Sequence, residues 1–339
     1  MIRKTIAVIL LLTLSSAVLT GCANNTDASG VCFAMDTVMS FTIYGKNRDA
    51  ALAACQAEVY RLDALFSATD PRSDISRINA GAGEFVEVSD ETAELIERSL
   101  SLSKTTDGAF DITVYALVEC WGFISGDYRV PAADEITQLL GNTGSGTVEV
   151  QGGCVRIAGG QKIGLGAIAK GYLTDRIWSI LESYEVSRAV ISLGGNVLVL
   201  GDKPDKTAWR VGIEDPFTAD GYFGVLSAAD MAVVTSGGYQ RYFEDDGKRY
   251  HHIFDPSNGY PSDSDLVSVT IAAKDGTLAD ALSTAFFVMG STQAKRYYDN
   301  SDGFEMILVT KSKEVIISAG LRDVFTLPPQ NGFTLTVTG

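Results

Sequence analysis

Asp280 and Thr284 stand four residues apart in Ala279-Asp-Ala-Leu-Ser-Thr-Ala285. Four residues is about one helical turn, so on a helix both side chains project to the same side. A carboxylate and a hydroxyl are hard oxygen donors, suited to Mg²⁺ rather than zinc. Mg²⁺ is commonly held by a few protein oxygens together with substrate phosphates. Taken alone, the pair is more often an exposed Asp and a Thr bonded to its own helix.

Gly164-Leu-Gly-Ala-Ile-Ala169 fits the G-x-G-x-x-A pattern that opens a dinucleotide-binding helix. That fold requires a following strand ending in Asp or Glu. Here the following strand-like run, 188–193, ends in Leu-Gly-Gly, so the ribose anchor is missing. What survives is a glycine turn at a helix start, where N–H groups attract phosphate and Lys170 adds a charge. An ordinary glycine turn with a solvated lysine has the same sequence. His252 lies in His-Ile-Phe-Asp-Pro-Ser-Asn-Gly-Tyr-Pro261, where a strand end meets Asp-Pro and Asn-Gly turns. An imidazole titrating near neutrality is a natural proton acceptor, though a lone His is often structural. Gly108-Ala-Phe-Asp111 precedes Ile-Thr-Val and could set an aromatic ring against a flat ligand.

These residues need elements to hold them. Alternation predicts a strand over 36–44, and apolar spacing predicts a helix over 49–66. The polar stretch 67–81 reads as a loop, and a helix capped by Ser89 or Asp90 runs over 90–104. The region 122–160 is glycine-rich, with an amphipathic piece at 132–140. A turn and helix occupy 163–183. Strand-like runs follow at 188–193, 196–200, 208–213, 223–228, 231–235, 249–254 and 266–273, with Gly194-Gly195 splitting the first two as a hairpin. Helices over 277–289 and 291–299, then strands over 305–310 and 314–318, close the chain. Scattered helices among hairpin-linked strands favour α+β over a parallel α/β sheet.

The chain has 339 residues, 46% of them hydrophobic, which is enough for a sizeable core. With 27 basic and 42 acidic residues, its net charge of −15 repels phosphate backbones and disfavours nucleic acid as a partner. The two histidines are adjacent, so no His-rich zinc site can form. Arg3 and Lys4 precede an apolar run from Ile6 to Leu19, of signal-peptide length, ending in Leu-Thr-Gly-Cys22. That ending resembles a bacterial lipobox, with cleavage before Cys22 and a lipid on its thiol. The expected division is therefore a signal peptide over 1–21, a lipid-anchored tether over 22–32 and one compact domain over 33–339. Such a protein sits on the extracytoplasmic face of a bacterial membrane. The other cysteines, Cys32, Cys55, Cys120 and Cys154, contain no C-x-x-C, and both disulfides and free thiols remain open.

Four ordered stretches resemble the ApbE family of FAD:protein FMN transferases. They are Gly108-Ala-Phe-Asp-Ile-Thr-Val with Trp121, Gly166-Ala-Ile-Ala-Lys-Gly-Tyr172, His252 to Pro261, and Ala279 to Ala285. Met35-Asp-Thr37, Ser73 to Asn79, Ser192 to Asn196 and Thr235 to Tyr239 agree as well, so the likeness spans about residues 33–320. The resemblance implies an α+β flavin-transferase fold with a mixed, mostly antiparallel sheet and packed helices. It implies Mg²⁺ on Asp280, Thr284 and the Ala167 carbonyl. It implies FAD contacts from Met35, Ala109, Phe110, Asp111, Lys170 and Ile253, with His252 as general base. Asn79 and Thr235 fall in motifs near the flavin or metal. Two positions depart from the family pattern: Gly164 stands where an acid usually touches FAD, and Asp36 where Gly is frequent.

The implied reaction moves FMN from FAD to a Thr or Ser hydroxyl of an acceptor protein and releases AMP. Acceptors would be subunits of membrane redox complexes carrying a Ser/Thr-Gly-Ala-Ser/Thr-type motif. Two other readings use the same site: an FAD pyrophosphatase giving FMN and AMP, and a lipoprotein that only binds FAD.

Overall fold

The computed structural model describes residues 27–329 and 332–339. Cys22 and the signal segment lie outside these residues. The chain runs β1 (Asp27–Ala34), β2 (Thr37–Tyr44), α1 (Arg48–Phe66), α2 (Asp74–Ala80), β3 (Val86–Glu87), α3 (Asp90–Thr105), α4 (Tyr115–Cys120) and α5 (Ala133–Leu140). Short strands β4 (Glu149–Gln151) and β5 (Cys154–Arg156) lead to α6 (Ala169–Ser183). Next come β6 (Arg188–Leu193), β7 (Asn196–Leu200), β8 (Trp209–Glu214), β9 (Tyr222–Ala228), β10 (Met231–Gly237), β11 (Tyr242–Asp245), β12 (Lys248–His251) and β13 (Leu266–Ala273). The chain ends with α7 (Gly276–Tyr298), β14 (Phe304–Thr310), β15 (Glu314–Ser318), β16 (Phe325–Thr326) and β17 (Thr334–Thr338).

The main sheet has nine strands in the order β1-β2-β6-β7-β10-β13-β14-β15-β17. Its pairs are antiparallel except β15 with β17. This is the mixed, mostly antiparallel α+β architecture, and it excludes the doubly wound dinucleotide fold. Both faces of its inner strands are covered. Ala232 and Val234 of β10 face a core shared with α1, α6 and α7, while Val233 faces a second core formed with β8, β9 and β16. Strands buried on both sides need apolar residues at successive positions, hence Met306-Ile-Leu-Val309 in β14. A third cluster, of Leu117, Trp121, Phe123, Ile136 and Phe254, packs α4 and α5 against the segment after β12.

Several boundaries differ from the sequence expectations. β1 begins at Asp27, so residues 27–32 of the expected tether form a strand paired with β2. The expected loop over 67–81 contains α2, capped by Ser73, whose hydroxyl accepts from Ser76 N–H at 3.1 Å. The expected strand over 249–254 stops at His251, and His252 makes one further backbone bond, its N–H donating to Arg241 O at 3.2 Å. The two C-terminal helices are one element broken at Gly290, where φ is 77°. β15 does not close the chain, because β17 adds a parallel edge strand. The four cysteines within the described residues are free thiols, Cys32 and Cys55 among them buried. No helix among the described residues is long and apolar enough to cross a membrane.

Candidate functional site

The site forms where the N-terminal turns of α6 and α7 cross. Two glycines allow the crossing. A Cβ on Gly171 would lie 2.3 Å from the Gly276 carbonyl oxygen, and one on Gly276 would lie 2.9 Å from Gly171 O. Asp175 of α6 then caps α7 from outside its own chain segment. Its carboxylate accepts from Gly276 N–H at 2.6 Å, Thr277 N–H at 2.9 Å and the Thr277 hydroxyl at 2.5 Å. Burial raises the Asp175 pKa, and these three donors work against that shift. Nothing in the local sequence of α7 pointed to Asp175.

The crossing brings Asp280 onto the first turn of α6. Asp280 is 4% exposed, and its Oδ2 accepts from Gly171 N–H at 2.8 Å. That N–H is the one a regular first turn would give to the carbonyl four residues back, which is Ala167. The Ala167 carbonyl accordingly accepts no hydrogen bond from any described residue. Nor does Asp280 make an ion pair among the described residues. A buried carboxylate without a counter-ion is costly unless a cation or further donors reach it. An orphan carbonyl, this carboxylate and a hydroxyl one turn along α7 are the donors a hard cation takes, so the residues fit Mg²⁺.

Thr284 lies one turn beyond Asp280, and its Oγ1 is 3.4 Å from Ser236 Oγ. Ser236 also bonds Ser283 Oγ at 2.8 Å, which ties the end of β10 to α7. The sequence had singled out Thr235 instead. Thr235 points to the opposite face of the sheet and bonds Thr270, its partner on β13, at 2.8 Å. Period-two alternation from the core residue Val234 would have selected Ser236.

The turn before α6 is held from two sides. Asn79 Nδ2 donates to Ile163 O at 2.9 Å, and its Oδ1 accepts from Ile163 N–H at 2.8 Å. Gly164 N–H donates to Ile112 O at 2.9 Å. Lys170 extends from the first turn of α6 and makes no ion pair among the described residues; its Nζ is 3.5 Å from Gly166 O. Met35 and Asp36 form the β1–β2 turn, both at positive φ (48° and 58°), a strained conformation for residues other than Gly. Asp63 of α1 braces that turn by accepting from Met35 N–H at 2.9 Å.

The two histidines separate cleanly. His251 Nδ1 accepts from Ile253 N–H at 3.3 Å, so its Nε2 carries the proton and donates to Ser262 O at 3.0 Å. Both ring nitrogens of His251 are thus engaged. His252 has one partner, the Arg241 carbonyl, 3.2 Å from Nδ1. That contact places the proton on Nδ1 and leaves the Nε2 lone pair free. Burial, then the Arg241 charge, pushes the His252 pKa down to about 3, with Lys170 contributing in the same direction. Asp255 does not act on His252: its carboxylate accepts from Ser257 N–H, the Ser257 hydroxyl and Asn258 Nδ2 within its own turn.

The remaining residues sit as follows. The Phe110 ring is 1% exposed in the main core, so it is not free to lie against a flat ligand. Ala109 beside it is partly exposed. Asp111 caps the turn at Ile112, accepting from Thr113 N–H at 2.8 Å and from Ser145 N–H at 3.2 Å. Burial raises its pKa against those bonds. The Ile253 side chain joins the main core, and its carbonyl accepts from Ser262 N–H at 2.9 Å.

Known proteins resemble this chain in sequence and fold. A model of the ApbE family matches residues 35–308. An FAD:protein FMN transferase of Treponema pallidum is 35% identical over 309 residues, covering 85% of each chain. One from Klebsiella pneumoniae is 34% identical over 293 residues, covering 85% of this chain and 90% of that protein. The crystal structure of an ApbE protein from Thermotoga maritima superposes with a TM-score of 0.83 at 37% identity, over 88% of this chain and 99% of that one. The apo flavinyl transferase ApbE of Pseudomonas stutzeri gives a TM-score of 0.76 at 29% identity, over 86% and 93%. The family match spans well over half of the sequence, and the fold agrees with it: the chain belongs to the ApbE family.

Proposed function

We propose that this protein transfers the FMN half of FAD to a Thr or Ser hydroxyl of an acceptor protein and releases AMP. The observation that carries this reading is the Gly171 N–H given to Asp280, which frees the Ala167 carbonyl beside a buried carboxylate. Ala167 O, Asp280 and Thr284 would hold Mg²⁺, which would supply neutralising charge to a diphosphate.

The chain's own residues do the rest. The N-terminal turn of α6 offers positive potential to the diphosphate, and Lys170 adds a full charge. Met35, Ala109, Asp111 and the backbone at Phe110 and Ile253 bound the FAD. The acceptor oxygen forms a bond to the FMN phosphorus, and the bond from that phosphorus to the bridging oxygen breaks. The bridging oxygen leaves with AMP. His252 Nε2 takes the acceptor's proton. The depressed pKa keeps this imidazole neutral in the free protein, and an anionic diphosphate nearby makes it a stronger base when FAD is bound.

The acceptors proposed are subunits of membrane redox complexes carrying a Ser/Thr-Gly-Ala-Ser/Thr-type motif. Cys22, in its lipobox-like setting, is the proposed lipidation site, tethering the protein to the extracytoplasmic face of a bacterial membrane. The test is mass spectrometry of an acceptor domain incubated with the protein, FAD and Mg²⁺. The expected result is a mass gain equal to covalent FMN that EDTA abolishes. Free FMN and AMP without a gain, where another flavin transferase modifies the same acceptor, would make the protein a pyrophosphatase. FAD retained without chemistry would make it a binding protein.

A further inference from the structure

Gly164 has no side chain, and another residue occupies the space one would fill. A Cβ on Gly164 would lie 2.5 Å from Cδ2, 3.0 Å from Cγ and 3.2 Å from Cβ of Tyr115. The ring therefore packs directly on the Gly164 backbone. The Gly164 backbone is held in place. Gly164 N–H is bonded to Ile112 O at 2.9 Å, and Asn79 clamps the preceding Ile163 through both of its backbone groups. Tyr115 opens α4 and is 9% exposed.

Burying a tyrosine normally requires a partner for its hydroxyl. Among the described residues the Tyr115 hydroxyl has none, yet it is not one of the polar atoms sealed inside without a partner. The oxygen is therefore unpartnered without being sealed from solvent. Asp36, in the strained β1–β2 turn, and Glu119, one turn along α4, both act on the phenol. After burial, these charges raise its pKa further, so it is a neutral donor at pH 7.

We propose that Tyr115 is an FAD-binding residue of this protein, its hydroxyl bonding the dinucleotide beside the 164–167 turn in place of a side chain at 164. The proposal rests on the reading of the site as an FAD site. A single neutral hydrogen bond changes affinity by roughly three- to tenfold.

The test measures binding of FAD, FMN and ADP to the full chain by titration calorimetry, together with the transfer rate at saturating FAD. Tyr115→Phe keeps the ring and removes the hydroxyl. It should weaken FAD by about three- to tenfold without lowering the melting temperature. The same loss with FMN alone or with ADP alone identifies which half of FAD is bonded. Gly164→Asp should lose more affinity, because its Cβ meets the ring, and Tyr115→Ala/Gly164→Asp should bind better than either single variant. Wild-type affinity of Tyr115→Phe for all three ligands overturns the proposal, as does wild-type FAD affinity of Gly164→Asp. Failure of the unaltered chain to bind FAD overturns the FAD reading along with it.

Discussion

Asp280 and His252 carry different burdens, and substitution separates them. Asp280→Asn keeps an oxygen for the Gly171 N–H but removes the charge a cation needs. Turnover at fixed Mg²⁺ should fall by at least roughly 100-fold, while the melting temperature changes little, since the packing and that hydrogen bond persist. Activity across a Mg²⁺ titration, alongside thermal melting, checks this; wild-type turnover would remove the cation from the site. His252→Ala should lower the saturated rate by about 10²–10⁴ and leave FAD affinity within a few fold. The pH profile has a definite sign. The depressed pKa of His252 keeps the base form available well below pH 6.5, so kcat/KM should show no acid limb at the usual histidine value. A limb near pH 6.5 that vanishes in His252→Ala would contradict the burial argument. Proximity of the adjacent histidine is not a substitute, because both nitrogens of His251 are engaged.

The crossing of α6 on α7 is the element that makes a site from these residues. Its closeness depends on Gly171, where a methyl group would fall 2.3 Å from the Gly276 carbonyl and 2.6 Å from Asp280 Cβ. Gly171→Ala must therefore push the helices apart, which costs about 1–3 kcal/mol by analogy with overpacked cores. It also lengthens the bond from Gly171 N–H to Asp280 and lets that N–H return to Ala167 O. The expected outcome is a lower urea midpoint and a weaker requirement-defining response to Mg²⁺, measured on the same preparation. An alanine variant with wild-type stability and Mg²⁺ dependence would show that the spacing is slack. Asp175 supports the same crossing by capping α7 at Gly276 and Thr277.

Across the molecule, the two histidines also couple folding to pH. Burial lowers the folded-state pKa of both, so between about pH 6.5 and 5 the unfolded chain binds more protons than the folded one. Stability is then fully present above pH 6.5 and is lost as pH falls, at up to about 1.4 kcal/mol per pH unit for each histidine. Urea midpoints at pH 7.5 and 5.5 should differ in that direction, and His252→Asn should flatten the difference. An unchanged slope in that variant would place the acid sensitivity elsewhere.

Sequence by itself determined the elements with a strong period and clear punctuation. β6, β7, β13 and β15 match their expected bounds, because β-branched runs end in glycine or charged turns, and Gly194-Gly195 at φ of 63° and 99° closes the hairpin as its composition demands. Helical spacing likewise put Asp280 and Thr284 on one side of α7, and the ordered motifs were specific enough to reach the family. Short polar elements escaped: α2 has seven residues and little apolar face, and β17 is an edge strand with three exposed residues at its start. Tertiary structure alone decided that Gly171 gives its N–H to Asp280, 109 positions away, and that Tyr115 covers Gly164. It also decided which histidine keeps a free nitrogen. These outcomes depend on distances between segments far apart in the chain. Periodicity reports only which way a residue faces within its own element, and the packing of elements settles what it meets there.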